Sequence, residues 1–177
     1  MPTIGHTIPL TRQALAHNPT LQADVDAYLS GGLLVKLEQA IADALAASTG
    51  TVAHAYDTDL ATTIRTGVAA AQSAMRELGP GVITVALSPD DHAALDLSGV
   101  RLAQWPAVII SSPALPTGTA YIGRLKLAAQ LFANPVQVVM GYASDQFIRN
   151  QITARATVDA LAHVAAPGAI VKATLTN

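Results

Sequence analysis

The chain has 177 residues, with ten Lys or Arg against twelve Asp or Glu and a formal charge of -2; this is enough length for one sizeable core or two small lobes sharing one. No cluster of Lys and Arg is present to displace counterions from a phosphate backbone, which argues against tight sequence-independent nucleic-acid binding. The lack of cysteine removes disulfide frameworks, thiol catalysis and thiolate metal sites. Hydrophobic residues make up 51% of the chain but aromatics only 4%, so the apolar mass is mostly Ala, Val, Leu and Ile, which suits either extensive subunit contact or a merely alanine-rich protein.

The amino terminus, Met1-Pro2-Thr3-Ile4-Gly5-His6, has neither the charged region nor the apolar core of a secretion signal. Asn18-Pro19 marks the start of the longest helix, with Asn18 placed to cap and Pro19 at the first helical position, where a missing amide costs nothing. Leu21, Val25, Tyr28, Leu29, Leu33, Leu37, Ile41, Ala44 and Leu45 hold one stripe at helical spacing until Ser48-Thr49-Gly50. Such a helix is on the order of 45 Å long. Gly31-Gly32 interrupts it, and the pair predicts either a bend or a straight helix packed closely at the glycines.

A second helix is predicted from Asp59 to Leu78, with Ile64, Val68, Ala71, Met75 and Leu78 on one side and Gly79-Pro80-Gly81 as its stop. Val82 to Leu87 reads as a buried strand. Ser88-Pro89-Asp90-Asp91 then supplies a cap, a first-turn proline and two acids at the positive end of a short helix through Leu95. Val108-Ile109-Ile110 and Tyr121-Ile122 are further short strands, and Val136 to Met140 leads back toward the terminal segment. The loop from Gln104 to Thr119, with Trp105, Pro106, Pro113, Leu115 and Pro116, is either a contact surface or an internal loop packing Trp105 into its own core. Two charge-free stretches, Leu102 to Gly123 and Leu127 to Ser144, have membrane-spanning length, but prolines break both, so they read as core strands and loops.

From Gln151 to Ala160 the polar residues Gln151, Thr153, Arg155, Thr157 and Asp159 alternate with Ile152, Ala154, Ala156, Val158 and Ala160, the period of a strand with one buried face. A helix is the rival reading because Ala is abundant, although Thr, Val and Ile fill one poorly. Pro167-Gly168 suits a type II turn before Ala169-Ile170-Val171, so residues 144–175 read as a long hairpin.

No nucleophile elbow, phosphate loop, zinc motif or dinucleotide turn is present in the sequence. His54, Asp57 and Asp59 could converge on a cation, though a solvated loop between helices explains them as well. Asp90, Asp91 and His92 could serve a small hydrolase as acid and base, but helix capping accounts for the aspartates without any reaction. His6, His17 and His163 stand alone. No cofactor and no metal are expected, and the chain does not read as an enzyme.

The order Asp145, Phe147, Arg149, Asn150, Thr153, Arg155, then Ala166-Pro167 and Ile170-Val171-Lys172, resembles the carboxyl-terminal end of tailed-phage major capsid proteins. Ile8-Pro9-Leu10-Thr11-Arg12-Gln13-Ala14-Leu15, then Asn18-Pro19, Leu21, Val25-Asp26, Leu29, Gly32-Leu33 and Lys36-Leu37-Glu38-Gln39, is similar to the segment leading into the spine helix of the same family. The resemblance, to the Hong Kong 97 type capsid fold, implies an α+β protein: a peripheral lobe of residues 1–66 and 145–177, built from the long spine helix and a long β-hairpin, and a compact mixed α/β axial lobe of residues 67–144. It further implies a structural subunit of a tailed-phage or prophage shell that self-assembles into pentamers or hexamers, with scaffold, portal or a separate chain as further partners. DNA would be enclosed without specific binding, no membrane would be involved, and the location would be the virion after assembly in the host cytoplasm. An encapsulin-like nanocompartment is the neighbouring reading. Candidate assembly contacts are Trp105, Leu115, Arg149, Asn150 and Arg155.

Two departures from the family follow. Some members cross-link a lysine to an asparagine with help from a buried glutamate; Asn150 matches the asparagine, but Thr157 stands where the glutamate falls and cannot act as a carboxylate base. The family's amino-terminal arm and extended loop precede the Ile-Pro segment, which here lies at Ile8-Pro9, so closure of a shell without those clasps is in question.

Overall fold

The computed structural model describes residues 1–17, 20–74, 81–99 and 105–176. The expected cap at Asn18-Pro19, the end of the second helix at Met75, Leu78 and Gly79-Pro80, and Gln104 lie outside the described residues. In chain order the elements are β1 (Thr3–Thr11), α1 (Arg12–His17), α2 (Leu21–Ala47), β2 (Val52–His54), α3 (Leu60–Ala74), β3 (Ile83–Leu87), α4 (Pro89–Leu97), β4 (Ala107–Ser111), β5 (Thr119–Gly123), α5 (Leu125–Ala128), β6 (Ala129–Ala133), β7 (Gln137–Gly141), β8 (Gln151–Val164) and β9 (Ile170–Thr174). They fall into two compact units, Met1–Ala40 with Leu131–Leu161, and Ile41–Gln130 with Ala162–Asn177. Among the described residues no helix is long and apolar enough to cross a membrane.

In the first unit the alternation of β8 decides the packing. Its inward residues Ala154, Ala156 and Val158 are buried against Val25, Leu29 and Leu33 of α2, with Ile4, Ile8 and Leu10 of β1 beside them. β1 runs antiparallel to β8 and sets Ile8 opposite Ala154 and Ile4 opposite Val158, so both strands turn their apolar residues to the same face. β7 lies antiparallel along the other edge of β8, with Val139 opposite Arg155. The fourth strand of this sheet is β6.

The second unit is a five-stranded sheet in the order β2-β9-β5-β3-β4. The outer pairs β2/β9 and β3/β4 are parallel and the inner pairs antiparallel. Its strands are apolar on both faces, as a sheet covered on both sides requires. Val85, Leu87, Ile122 and Val171 pack in a cluster with Ile64, Val68 and Ala71 of α3. Ala86, Tyr121 and Ile170, one residue out of phase, pack in another with Ala42, Leu45, Leu125 and Ala128. Burial pushes the Tyr121 phenol above its ordinary pKa. A Cβ on Gly67 of α3 would meet the Ile122 Cδ1 at 2.7 Å, so this helix lies directly on the sheet.

One expectation needs correction. The strands of the predicted hairpin both form, but β8 and β9 belong to different sheets, and residues 167–169 between them are a short 3-10 turn. Gly168 does not adopt the positive φ of a type II turn. The reason lies in burial: Ile170, Val171 and Ala173 are all buried, so β9 needs a place inside a two-faced sheet, whereas β8 alternates and needs only one covered face. In the division into compact units, residues 41–66 and 162–177 group with the second unit, where Ala42, Leu45, Ile64, Ile170, Val171 and Ala173 bury their side chains.

The paired glycines of α2 separate into two cases. The helix continues through both. A Cβ on Gly31 meets nothing, whereas one on Gly32 would collide with the His6 ring, which also stacks at 5.1 Å on Tyr28. Close packing at Gly32, not a bend, is the reason for glycine. Gly31→Ala should therefore raise stability by about 0.5–1 kcal/mol through helix propensity, while Gly32→Ala should show none of that gain; thermal melts of the two variants check the contrast.

Candidate assembly surfaces

The polar clusters that suggested chemistry are used in capping. Ser88 caps α4: its Oγ accepts the Asp91 N–H at 3.2 Å and donates to the Asp91 carboxylate at 2.7 Å. The same carboxylate accepts the Gly118 N–H at 2.9 Å, in a residue with φ of +81°. Asp91 is buried, and its contacts tie the start of α4 to the loop that leads into β5. Asp90 is exposed and His92 half-buried. Asp59 caps α3 by accepting the N–H and the hydroxyl of Thr62, at 2.7 and 2.8 Å. These hydrogen bonds hold its carboxyl below the ordinary value of 3.8. His54 bonds Thr66 at 2.9 Å, and Asp57 accepts the Thr58 N–H at 2.9 Å. Among the described residues no three His, Asp or Glu side chains gather as metal ligands.

Of the five expected contact residues, two belong to a core. Leu115 is buried in the cluster around Tyr121. Trp105, 9% exposed, packs with the cluster around Val85. The Arg65 guanidinium sits over its ring, 5.4 Å from the centroid, within cation–π range. In a single copy, therefore, both side chains are turned into the packed clusters of the second unit. Arg65, Gln72, Trp105 and Pro106 line a cleft of about 320 Å³.

The other three are exposed and lie in the first unit. Arg149 pairs with Asp145, Nε to Oδ2 at 2.7 Å. Asn150 was expected in a strand; instead it has φ of +54°, the left-handed conformation that Asn tolerates, and its carbonyl accepts the Arg12 N–H at 3.1 Å. Arg155 stands on the outward face of β8 between Thr7 and Val139.

Sequence reasoning missed the apolar surface beside them. Every residue of β7 is exposed, including Val138, Val139 and Met140. In the turn of residues 142–150, Phe147 is 71% and Ile148 86% exposed, and the Phe147 ring meets Tyr142 edge-on at 5.6 Å. The available signal was that Phe147 and Ile148 stand between the polar pairs Asp145-Gln146 and Arg149-Asn150, just before the alternation of residues 151–160 begins.

No family model and no curated protein matches the sequence. Solved structures do. A virus-like particle from Pyrococcus furiosus matches with a TM-score of 0.71 at 11% identity over 97% of this chain and 75% of its own. The capsid of the cyanophage P-SCSP1u matches with 0.71 at 12% identity over 99% and 72%. The capsid of an empty GTA particle matches with 0.74 at 11% identity over 99% and 72%. The chain therefore has the α+β capsid fold of the Hong Kong 97 type, present over nearly its whole length, at identities that carry the fold alone.

Two outcomes follow from the caps. Asp91→Ala leaves the Gly118 N–H buried without an acceptor and should cost about 1–3 kcal/mol, and Ser88→Ala about 1 kcal/mol, whereas His92→Ala should be near neutral; urea unfolding midpoints of the three variants rank them. A carboxyl held below its unfolded pKa adds stability above the unfolded value, which is lost as pH falls through the folded one. The stability difference between the wild type and Asp59→Asn should accordingly hold at neutral pH and close as pH drops through and below the ordinary carboxylate range, as read from melts across an acid series.

Proposed function

We propose that this chain is a structural subunit of a tailed-phage or prophage-type shell and works by repeated symmetric self-association, not by catalysis. The observation that carries this reading is the match of nearly the entire chain, in both of its units, to subunits of virus-like and phage capsids. In this reading the first unit takes the peripheral role and the second the axial role, and copies gather as pentamers or hexamers. Burial of modest apolar patches, repeated around a closed symmetric assembly, makes many weak contacts act together.

The chemistry of the surface supports a structural role. Of the acidic residues that suggested a hydrolase, Asp91 is buried and its carboxylate accepts the Ser88 hydroxyl and the Gly118 N–H at the start of α4 and the loop before β5. With ten Lys and Arg dispersed along 177 residues, enclosed DNA would be contained without a dedicated basic site. Arg149, Asn150 and Arg155 are the members of the expected contact set that remain available to a neighbouring copy, and scaffold or portal proteins would be further partners in a virion.

Light scattering coupled to size exclusion, over a wide range of protein concentration and with negative-stain images of the large fractions, tests the proposal. Rings or closed shells are the expected outcome. A strict monomer at every concentration would overturn self-association by this chain.

A further inference from the structure

We propose that the apolar surface formed by β7 and the turn of residues 142–150 is a contact between two copies of this chain, with Phe147 and Ile148 as its apolar centre and Asp145 and Arg149 exchanged between the copies. The inference rests on the assembly reading above and narrows it to one surface and one kind of contact.

The first argument is exposure. Val138, Val139, Met140, Tyr142, Phe147 and Ile148 all stand open to water within one stretch of chain. Isolated exposed apolar residues are ordinary, but a group gathered in one short stretch, with Phe147 and Ile148 adjacent at its tip, marks a candidate interaction site.

The second argument is the strand itself. Among the described residues β7 pairs only with β8. Proteins protect a free strand edge with charges, prolines or bulges. The residues Gln137-Val138-Val139-Met140-Gly141 carry no charge and no proline, so this edge is left open to another strand. Val139 points to one face of the sheet and Val138 and Met140 to the other, and all three border that edge.

The third argument is preorganisation. The turn is closed by its own hydrogen bonds: the Ile148 and Arg149 N–H groups donate to the Asp145 carbonyl at 3.1 and 3.3 Å, and the Gln151 N–H to the Gln146 carbonyl at 2.8 Å. The Gln146 side chain accepts the Ala143 N–H at 2.8 Å and bonds Thr153. Ser144 and Asn150, at φ of +53° and +54°, hold the left-handed positions at its two ends. Phe147 and Ile148 are thus presented on a fixed support, which lowers the ordering cost of docking.

The occupant follows from charge. Beside the apolar tip stand one carboxylate and one guanidinium, both well exposed. A surface with one charge of each sign is complementary to itself: a two-fold axis brings Asp145 of one copy to Arg149 of the next and the reverse.

Three measurements by sedimentation or light scattering test the proposal, with far-UV circular dichroism and melting to confirm that each variant is folded. The double variant Phe147→Ser, Ile148→Ser should weaken self-association at least tenfold, and wild-type association should persist in 1 M salt because apolar burial carries it. Asp145→Arg and Arg149→Asp should each associate poorly alone, and an equimolar mixture of the two should recover association. If rings or shells form equally well from the wild type and the serine double variant, this surface is not the contact, and the assembly reading stands. If the mixture behaves no better than its components, the contact is not between two such surfaces. A wild type that stays monomeric throughout overturns both readings, whether or not a foreign protein binds the turn.

Discussion

Small side chains set the distance at which helix meets sheet, and the rest of the structure follows from it. In the first unit Ala154 and Ala156 of β8 lie beneath Val25, Leu29 and Leu33 of α2, and Gly32 admits the His6 ring against the same helix. In the second, Gly67 brings α3 onto Ile122. Helices seated this close leave little room for large residues between the layers, which is consistent with an aromatic content of 4%. Native packing density is reached by approach of the backbones. A chain built this way tolerates added volume poorly at the inner positions of β8, since overpacking forces off-rotamer side chains or backbone shifts.

A core of alanine and valine buries less area per residue than one of leucine and phenylalanine, and the larger apolar residues are distributed accordingly. Phe132, Phe147, Ile148 and Tyr142 are exposed, and so are Leu34 and Val35 of α2. The chain places much of its bulkiest apolar surface where folding of one copy does not cover it. For a solitary protein this distribution is a liability; for a subunit it is the material of contact, since the same area removed from water between copies contributes as it does inside one.

How far the sequence could be read depended on whether the signal was local. The alternation of residues 151–160 is local, and β8 formed there with Ala154, Ala156 and Val158 inward. The cap at Ser88-Pro89-Asp90-Asp91 is local as well, and the hydrogen bond from the Asp91 N–H to Ser88 realises it. The pairing of β8 with β1 was not legible, because Thr3–Thr11 contains Gly5 and Pro9 and shows no clean period, and its partner lies about 150 residues away. The hairpin was misread for a related reason: Pro167-Gly168 suits a tight turn, but a turn signal cannot report which sheet each flanking strand joins, and the two-sided burial of Ile170 and Val171 decided that. Trp105 and Leu115 were ambiguous because a proline-rich loop can cover a core or a partner with the same residues, and only the tertiary environment separates the two.

The acidic residues that the sequence singled out differ in what they do once folded. Asp59 accepts the Thr62 N–H and hydroxyl at the start of α3, where a carboxylate also meets the positive end of the helix dipole, and Asp91 accepts the Ser88 hydroxyl and the Gly118 N–H. Asp145 and Arg149 differ, since they pair only with one another at the surface and remain well exposed, and an exposed pair of this kind contributes little to stability on its own. The carboxylates of Asp59 and Asp91 are thus turned to groups within their unit, while the ion pair beside Phe147 and Ile148 stays at the surface.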